Sequence, residues 1–260
     1  LQETSENGGK HVLQKSDMNQ MRSRAGAMRL SNIRRLSCAT NVSEVMASAK
    51  NIYCVGRNYV AHAHELGNEV PKEEPVLFLK ANSSLRAVED EGSTLFSDEV
   101  HHELEVVVQI KHHVAKQTSL QTPEQRWELI SGIGLGLDLT RRDKQKALKD
   151  KGLPWTLSKS FAGAGIIGPM CDPTEIKLPF PYSELEFSLT VNGQTRQSAT
   201  LGQMIFPIPF LIDFLLSYQD LDAGDLIFTG TPEGVGPMSA GDEFVLRWEN
   251  GLDGQFTGIL

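Results

Sequence analysis

The amino-acid sequence predicts a mixed α+β domain that is predominantly β. Short apolar segments bounded by Gly, Pro, Asn or Asp recur along the chain, a pattern typical of strands. Few segments have the apolar spacing of a helix, and strands and helices do not alternate regularly. A doubly wound parallel sheet would need that alternation, so we expect an irregular β architecture.

The first expected elements lie between residues 52 and 110. Residues 52–55 form a short apolar run that ends at Gly56, which indicates a strand. Residues 59–66 are expected to form one or two helical turns. Residues 75–79 and 104–110 are nearly continuous apolar runs, which predict buried strands.

The middle of the chain predicts two short helices around a strand. Pro123 suits the first turn of a helix expected over residues 123–130. Residues 133–139 are apolar and interrupted by glycines, which favours a strand. Residues 141–151 are rich in charge and predict a short helix that ends at Gly152.

A hairpin and a buried helix are expected next. Residues 185–191 alternate apolar and polar side chains, and Asn192 and Gly193 follow as a strong turn signal. Residues 194–197 would then be the returning strand, and residues 204–218 predict a buried helix. The closing strands are expected at residues 225–229, 242–248 and 255–260.

The charge of the chain is acidic overall and unevenly distributed. The formal net charge is −8, yet residues 1–50 hold eight of the 25 Lys and Arg and only four of the 33 Asp and Glu. The acidic remainder argues against a nucleic-acid surface, which needs clustered positive charge. No apolar run approaches the roughly 18 residues of a membrane span. The expected partner is therefore a small molecule, with no nucleic acid and no membrane.

Residues 1–45 differ from the rest, and we expect the folded domain to occupy residues 46–260. Residues 21–40 contain five Arg and no acidic residue, a composition typical of a mitochondrial presequence. A flexible leader or a tag remnant is an equally good interpretation. The expected location is the cytoplasm, with the mitochondrion as the alternative if residues 21–40 are a presequence.

Two glutamates on an apolar strand are the first candidates for chemistry. Glu103 and Glu105 are two apart, so on a strand their side chains share a face. Adjacent carboxylates repel each other, and a shared cation relieves that repulsion. Oxygen ligands select a hard ion such as Mg²⁺, Mn²⁺ or Ca²⁺. The alternative is two ordinary surface glutamates in water.

A third carboxylate, Asp138, follows the apolar strand expected at residues 133–139. The ends of strands are common places for functional groups, although a helix N-cap is an equally good interpretation of Asp138 alone. His101 and His102 are also near the two glutamates. We expect neither histidine to be a ligand, because a hard ion prefers oxygen.

An ordered set of short segments runs from about residue 51 to the C-terminus. The segments are Val55-Gly56-Arg57-Asn58-Tyr59, His62-x-x-Glu65, Pro75-Val76-Leu77-Phe78-Leu79-Lys80, His102-Glu103-Leu104-Glu105, Leu137-Asp138-Leu139-Thr140 with Arg142, Asp143 and Gln145, Lys159-Ser160-Phe161, and Thr229-Gly230-Thr231-Pro232 with Gly234-Val235-Gly236. This set resembles the fumarylacetoacetate hydrolase family, most closely its small single-domain acylpyruvases that also decarboxylate oxaloacetate. The order is more specific than any single segment.

The resemblance implies a mixed β-roll or barrel with a short helical lid, assembled as a homodimer. It implies Mg²⁺ or Mn²⁺ as the cofactor, bound by Glu103, Glu105 and Asp138. The implied substrate is a small 2-keto or 2,4-diketo acid.

The resemblance also implies roles for residues around the metal. His62 and Glu65 would activate water, and Lys159 would be the cation beside the substrate. The implied substrate-binding residues are Arg142, Gln145, Gly230 and Thr231. Arg57 is expected to be structural.

The expected activity is metal-dependent hydrolysis of a carbon–carbon bond in 2,4-diketo acids, with decarboxylation of oxaloacetate as a related activity. An isomerase, a tautomerase or a decarboxylase of 2-keto acids in aromatic-compound degradation is the alternative. A binding protein without activity on the same scaffold is a third interpretation.

Overall fold

The computed structural model describes residues 40–90 and 99–260. The fold is predominantly β, as the sequence predicts. The stretch at residues 21–40 and the expected leader at residues 1–45 lie outside the described residues, except for residues 40–45.

Short strands and helices alternate irregularly along the described chain. The helices are α1 (Val42–Ser48), α2 (Val60–Glu65), α3 (Pro123–Trp127), α4 (Arg142–Asp150), α5 (Thr156–Lys159) and α6 (Ile208–Tyr218). The strands are β1 (Ile52–Gly56), β2 (Val76–Lys80), β3 (Leu85–Ala87), β4 (Val100–His102), β5 (Leu104–Ile110), β6 (Ile130–Asp138), β7 (Thr140–Arg141), β8 (Gly165–Cys171), β9 (Glu186–Val191), β10 (Gln194–Thr200), β11 (Leu226–Phe228), β12 (Gly236–Met238), β13 (Glu243–Trp248) and β14 (Gln255–Ile259).

A seven-stranded mixed sheet with the order β2-β1-β11-β5-β6-β8-β3 forms the body of the fold and curls into a half-barrel. A four-stranded sheet, β10-β9-β13-β14, and a three-stranded sheet, β12-β4-β7, accompany it. None of the helices in the described part of the chain is long and apolar enough to cross a membrane.

The centre of the large sheet is the antiparallel pair β5 and β6. Every residue of β5 is buried, because this Val-rich strand lies between β11 and β6. Gly136 lets β8 approach β6, since a Cβ there would lie 2.6 Å from the Ile166 carbonyl oxygen. Leu104 pairs with Leu137, so the residues beside them reach the same end of the sheet.

Strand β2 corrects one expectation. The apolar run at residues 75–79 predicts a buried strand, but Leu77 and Leu79 are 37% and 57% exposed. The reason is topological, because β2 is an edge strand whose one partner in the described part of the chain is β1. A continuous apolar run does not reveal whether its strand is central or at an edge.

Two helices are shorter than the sequence predicts. The helix expected at residues 123–130 ends at Trp127, because β6 begins at Ile130. The helix expected at residues 204–218 begins at Ile208, after Pro207 as the N-cap. The helices expected near residues 59–66 and 141–151 are confirmed as α2 and α4.

The hairpin signal is confirmed by β9 and β10, which pair antiparallel around the predicted turn. Asn192 has φ 49° and Gly193 has φ 76°, as a tight hairpin turn requires. The sequence analysis missed β3, β4, β7, β8 and β12. Four of these strands are too short or too polar to show an alternation of apolar and polar residues. Strand β8 contains two glycines and a proline, which hide its strand pattern.

Helix α1 spans the boundary expected between residues 45 and 46. The side chain of Asn41 accepts a hydrogen bond from the Ser43 backbone N–H at 3.0 Å and caps the helix. Val42 and Val45 are buried in the core cluster that covers one face of the large sheet. Helix α1 therefore packs with the rest of the domain.

Candidate metal centre

Three carboxylates converge at one end of the β5–β6 pair. Glu103 lies between β4 and β5, Glu105 lies on β5, and Asp138 ends β6. One carboxylate oxygen of each residue lies within 4.8 Å of the other two, and all three side chains are buried. The backbone N–H of Asp138 donates to the Glu103 carbonyl at 2.8 Å, which joins the two residues at the sheet end.

Three buried or half-buried cations surround these acids. Lys159 Nζ lies 2.7 Å from Glu103 Oε2 and 2.6 Å from Asp138 Oδ2. Lys80 Nζ lies 2.6 Å from Asp138 Oδ1, although it is not aligned for a hydrogen bond to that oxygen, and donates instead to the Lys159 carbonyl. Arg142 Nη2 donates to Glu103 Oε1 at 2.6 Å.

The ion pairs shift the pKa values of both partners. Burial raises the pKa of the Glu103 carboxyl, but the Lys159 and Arg142 cations outweigh burial and hold the pKa well below its usual range. Burial lowers the pKa of Lys159, but Asp138 and Glu103 outweigh burial and raise it. Both groups therefore stay ionised at neutral pH.

Glu105 differs from the other two acids, because it makes no ion pair with any residue the structure describes. Its Oε2 accepts a hydrogen bond from the Gly230 backbone N–H at 2.7 Å. Burial, and then the charges of Asp138 and Glu103, raise the pKa of Glu105 well above its usual value. A divalent cation would supply the missing positive charge, and an all-carboxylate donor set suits Mg²⁺ or Mn²⁺. The residues present therefore fit a hard divalent ion.

His62 and Glu65 form a pair on α2, as their spacing of three predicts. His62 Nδ1 lies 3.1 Å from Glu65 Oε2, and Glu65 Oε1 accepts the Gly234 backbone N–H at 3.0 Å. His62 is buried and lines the same cleft as Glu103 and Lys159. The pair is thus held between α2 and the loop after β11.

The loop after β11 contains the expected substrate residues Gly230 and Thr231. Gly230 has φ +99°, and a Cβ there would lie 2.6 Å from the Asn58 Cβ. Asn58 is buried and donates to the Thr229 carbonyl at 2.7 Å. Both the backbone angle and the close contact require glycine at position 230, whose N–H reaches Glu105.

Replacing Gly230 with Ala is expected to lower the affinity for a divalent ion at least about 10-fold, because the loop must move and its N–H leaves Glu105. Calorimetric titration with Mg²⁺ measures this change. Gly241→Ala is the matched control, since Gly241 also has a positive φ of 89° but has open space around its Cβ position. Equal losses in the two variants would contradict the proposed contact.

Gln197 links the loop to the strand that carries Glu105. Its Oε1 accepts from the Leu104 backbone N–H at 2.9 Å, and its Nε2 donates to Thr231 Oγ1 at 2.8 Å. The same Oε1 lies 3.0 Å from His102 Nδ1. His102 therefore faces Gln197 and not the acids, and His101 lies 2.6 Å from Glu99.

Helix α4 places Arg142 and Gln145 at the cleft. Arg142 Nη1 donates to Gln145 Oε1 at 2.7 Å, and Arg142 Nη2 donates to Glu103 Oε1. All ten expected site residues thus lie in or around one cleft. The lining of this cleft includes Arg57, which we expected to be structural, and Lys149.

Four residues of this region were not predicted from the sequence to belong to the site, namely Arg57, Lys80, Lys149 and Gln197. Lys80 had a usable signal, because a lysine directly after an apolar strand run is unusual. Lys149 lies seven residues after Arg142, on the same helical face. Gln197 had no signal, since polar residues are ordinary on a returning hairpin strand.

Comparison with known proteins shows a family match and several similar relatives. Residues 51–256 match the family described as fumarylacetoacetate (FAA) hydrolase C-terminal. The chain is 42% identical over 199 residues to oxaloacetate tautomerase FAHD1, mitochondrial, of Homo sapiens, a match that covers 75% of this chain and 85% of that protein. It is 39% identical over 196 residues to oxaloacetate decarboxylase, mitochondrial, of Dictyostelium discoideum, with coverage of 75% and 86%.

A solved structure is also similar over most of the fold. Fumarylpyruvate hydrolase from Pseudomonas aeruginosa, in complex with Mn²⁺ and pyruvate, has a TM-score of 0.70 and 32% sequence identity. The match covers 81% of this chain and 89% of that chain.

Proposed function

The chain belongs to the fumarylacetoacetate hydrolase family, and on that premise we propose that it hydrolyses a carbon–carbon bond in 2,4-diketo acids, yielding pyruvate and a carboxylic acid. The observation that carries the proposal is the buried carboxylate triad within 4.8 Å, in one cleft with His62 and Lys159. Glu103, Glu105 and Asp138 would hold Mg²⁺ or Mn²⁺. When bound, such an ion acts as a Lewis acid that polarises the keto oxygen of the substrate.

The residues around the triad bind and orient the substrate. Gln197 Nε2 donates to Thr231 Oγ1, so the hydroxyl proton of Thr231 is left to donate to a substrate carboxylate. Arg142 and Gln145 line the same cleft and would limit the orientation of the keto acid. The charged Lys159 would stabilise negative charge that develops on the keto oxygen.

His62 is the proposed general base for hydrolysis. Because Glu65 accepts a hydrogen bond from Nδ1–H, the Nε2 atom is left to take a proton from water. The water oxygen bonds to the distal carbonyl carbon, and the carbon–carbon bond then breaks. Its electron pair stays on the pyruvate fragment as an enolate, which gains a proton at carbon and leaves as pyruvate.

Tautomerisation and decarboxylation of oxaloacetate form a second candidate function, favoured by the relatives named for those activities. In tautomerisation, a proton moves between C3 and the keto oxygen without loss of carbon. In decarboxylation, the C3–C4 bond breaks, CO₂ leaves, and the electron pair forms the same enolate. Decarboxylation needs no attacking water, so His62 should matter less for it than for hydrolysis.

A substrate panel tests the proposal. We expect turnover of acylpyruvates and of oxaloacetate with added Mg²⁺ or Mn²⁺, and loss of at least about 99% of the activity in excess chelator. Pyruvate formed from an acylpyruvate reports hydrolysis, CO₂ released from oxaloacetate reports decarboxylation, and a change in the enol absorbance of oxaloacetate reports tautomerisation. Turnover of oxaloacetate alone would replace the first candidate by the second, and no turnover of any 2-keto acid would favour a binding protein.

We also propose a mitochondrial location in preference to the cytoplasm. The support is the Arg-rich, acid-free composition of residues 21–40, together with the mitochondrial names of the most similar relatives.

A homodimer is the proposed assembly. Exposed leucines at the free edge of β2 and beside α5 form an apolar surface that a second copy would cover. The leucines are Leu77, Leu79 and Leu153.

A further inference from the structure

We propose that Lys149 and Arg57 form a subsite for a second carboxylate in the outer part of the cleft, so that the preferred substrates are dicarboxylic 2-keto acids. This inference rests on the proposed function, which places the first carboxylate and the keto group at the triad.

Helix α4 brings Lys149 to the same cleft as the triad. Arg142, Gln145 and Lys149 are spaced by three and four residues, so their side chains share one face of the helix. All three line the cleft that also contains Glu103 and Lys159. Arg142 and Gln145 contact the inner site, and Lys149 lies two turns from the start of the helix.

The ammonium of Lys149 is held in place by an aromatic ring. Its Nζ lies 5.0 Å from the centroid of the Trp155 ring, a cation–π distance, and both side chains are half-buried. Trp155 lines the cleft as well. A substrate that enters the cleft would therefore meet a positioned charge at its outer end.

Arg57 lies on the same cleft, directly after β1. It has a positive φ of 61°, a backbone conformation that is uncommon for residues other than glycine. Its buried Nε has no hydrogen-bond acceptor among the described residues. Since buried guanidinium groups are usually paired, an acceptor from a ligand is the simplest completion.

The inner and outer cations differ in their partners. Lys80, Lys159 and Arg142 each contact an acid of the triad. Within the described part of the chain, neither Arg57 nor Lys149 makes an ion pair. A neutral acyl group would leave these outer charges without a counter-ion, whereas a second carboxylate would pair with them.

Electrostatics at Lys149 agree with this geometry. Burial, followed by the nearby charges of Arg57, Arg142 and Lys159, lowers the pKa of Lys149 to about 8. The positive groups repel one another, and an anion between them would relieve the repulsion.

Comparison of an anionic with a neutral acyl group tests the subsite. The substrates are fumarylpyruvate, which has a second carboxylate, and acetylpyruvate, which has a methyl group instead. We expect Lys149→Met to lower the ratio of kcat/KM for fumarylpyruvate to that for acetylpyruvate at least about 10-fold, mainly through KM. Lys146→Met is the control on the same helix, since Lys146 is exposed and pairs with Asp150, and it should leave the ratio unchanged.

A ratio that does not fall in Lys149→Met overturns the subsite while leaving the proposed function intact. If the wild-type protein turns over neither substrate, the proposed function fails and calorimetry decides the subsite. In the presence of Mg²⁺, fumarylpyruvate, which would then bind without turnover, should bind at least about 10-fold more weakly to Lys149→Met than to Lys146→Met. Equal affinities of the two variants would overturn the inference.

Discussion

Glu105→Gln is expected to abolish the response of the protein to divalent ions and to reduce kcat at least about 1000-fold. The substitution keeps the size of the side chain and the oxygen that accepts the Gly230 N–H. It removes one of the three carboxylate charges that would bind the ion, and affinity for hard cations depends strongly on ligand charge. The reduced kcat follows from the lost polarisation of the keto oxygen.

Glu105 is the best choice among the three acids for this test. Removing Glu103 or Asp138 would leave the buried Lys159 with only one of its two carboxylate partners, which destabilises the fold itself. Glu105 has no such ion pair among the described residues. The pKa of Glu105 is raised in the folded state, so ionisation of this carboxyl lowers the stability of the fold as pH rises above the pKa of the unfolded state. A neutral Gln at this position should therefore not lower the stability of the protein at pH 7 in chelator.

Thermal unfolding measures the result directly. With Mg²⁺ added, the Tm of the wild-type protein should rise because the ion binds only the folded state, and the Tm of Glu105→Gln should not. Glu243→Gln on the exposed surface of β13 is the control and should respond as the wild-type protein does. A Mg²⁺-dependent rise of Tm in Glu105→Gln would remove Glu105 from the ligand set.

His62→Ala is expected to lower kcat for 2,4-diketo acids at least about 100-fold and kcat for oxaloacetate decarboxylation less than about 10-fold. General-base catalysis typically contributes factors of this size, and only hydrolysis needs a proton removed from water. The carboxylates should keep their hydrogen bonds, because the described hydrogen bond of the His62 ring is with Glu65 and not with an acid of the triad.

His64→Ala is the matched control for this experiment. His64 lies on the same helix two residues later, and its side chain is exposed. It should therefore leave both activities within about twofold of the wild-type values. Similar losses of both activities in His62→Ala would contradict the role in water activation and would indicate a role common to both reactions.

Several strands and helices of the fold were predictable from local sequence. The apolar run of β5, the hairpin at Asn192 and the helix α4 each have a local signal, and the structure confirms them. Strand β2 shows the limit of that reasoning. Its apolar run indicates a strand, but its exposure depends on which neighbours pair with it.

The candidate site was predictable to the extent that its residues have a distinctive type or order. Glu103 and Glu105 are conspicuous on an apolar strand, and Asp138 is conspicuous at the end of another. Lys80 and Gln197 are ordinary residues in sequence. Their contacts arise because β2 and β10 are brought to the triad by pairings that no local pattern records.

The sequence by itself therefore determined that the chain is a β-rich enzyme of its family, because residue order and side-chain period are local properties of the chain. Tertiary structure alone decided that Glu105 has no cation partner among the described residues, that Gln197 holds the loop after β11, and that Lys149 and Arg57 share one cleft. Those facts depend on distances between residues far apart in the chain, and such distances follow only from the way in which the strands pair and the helices pack.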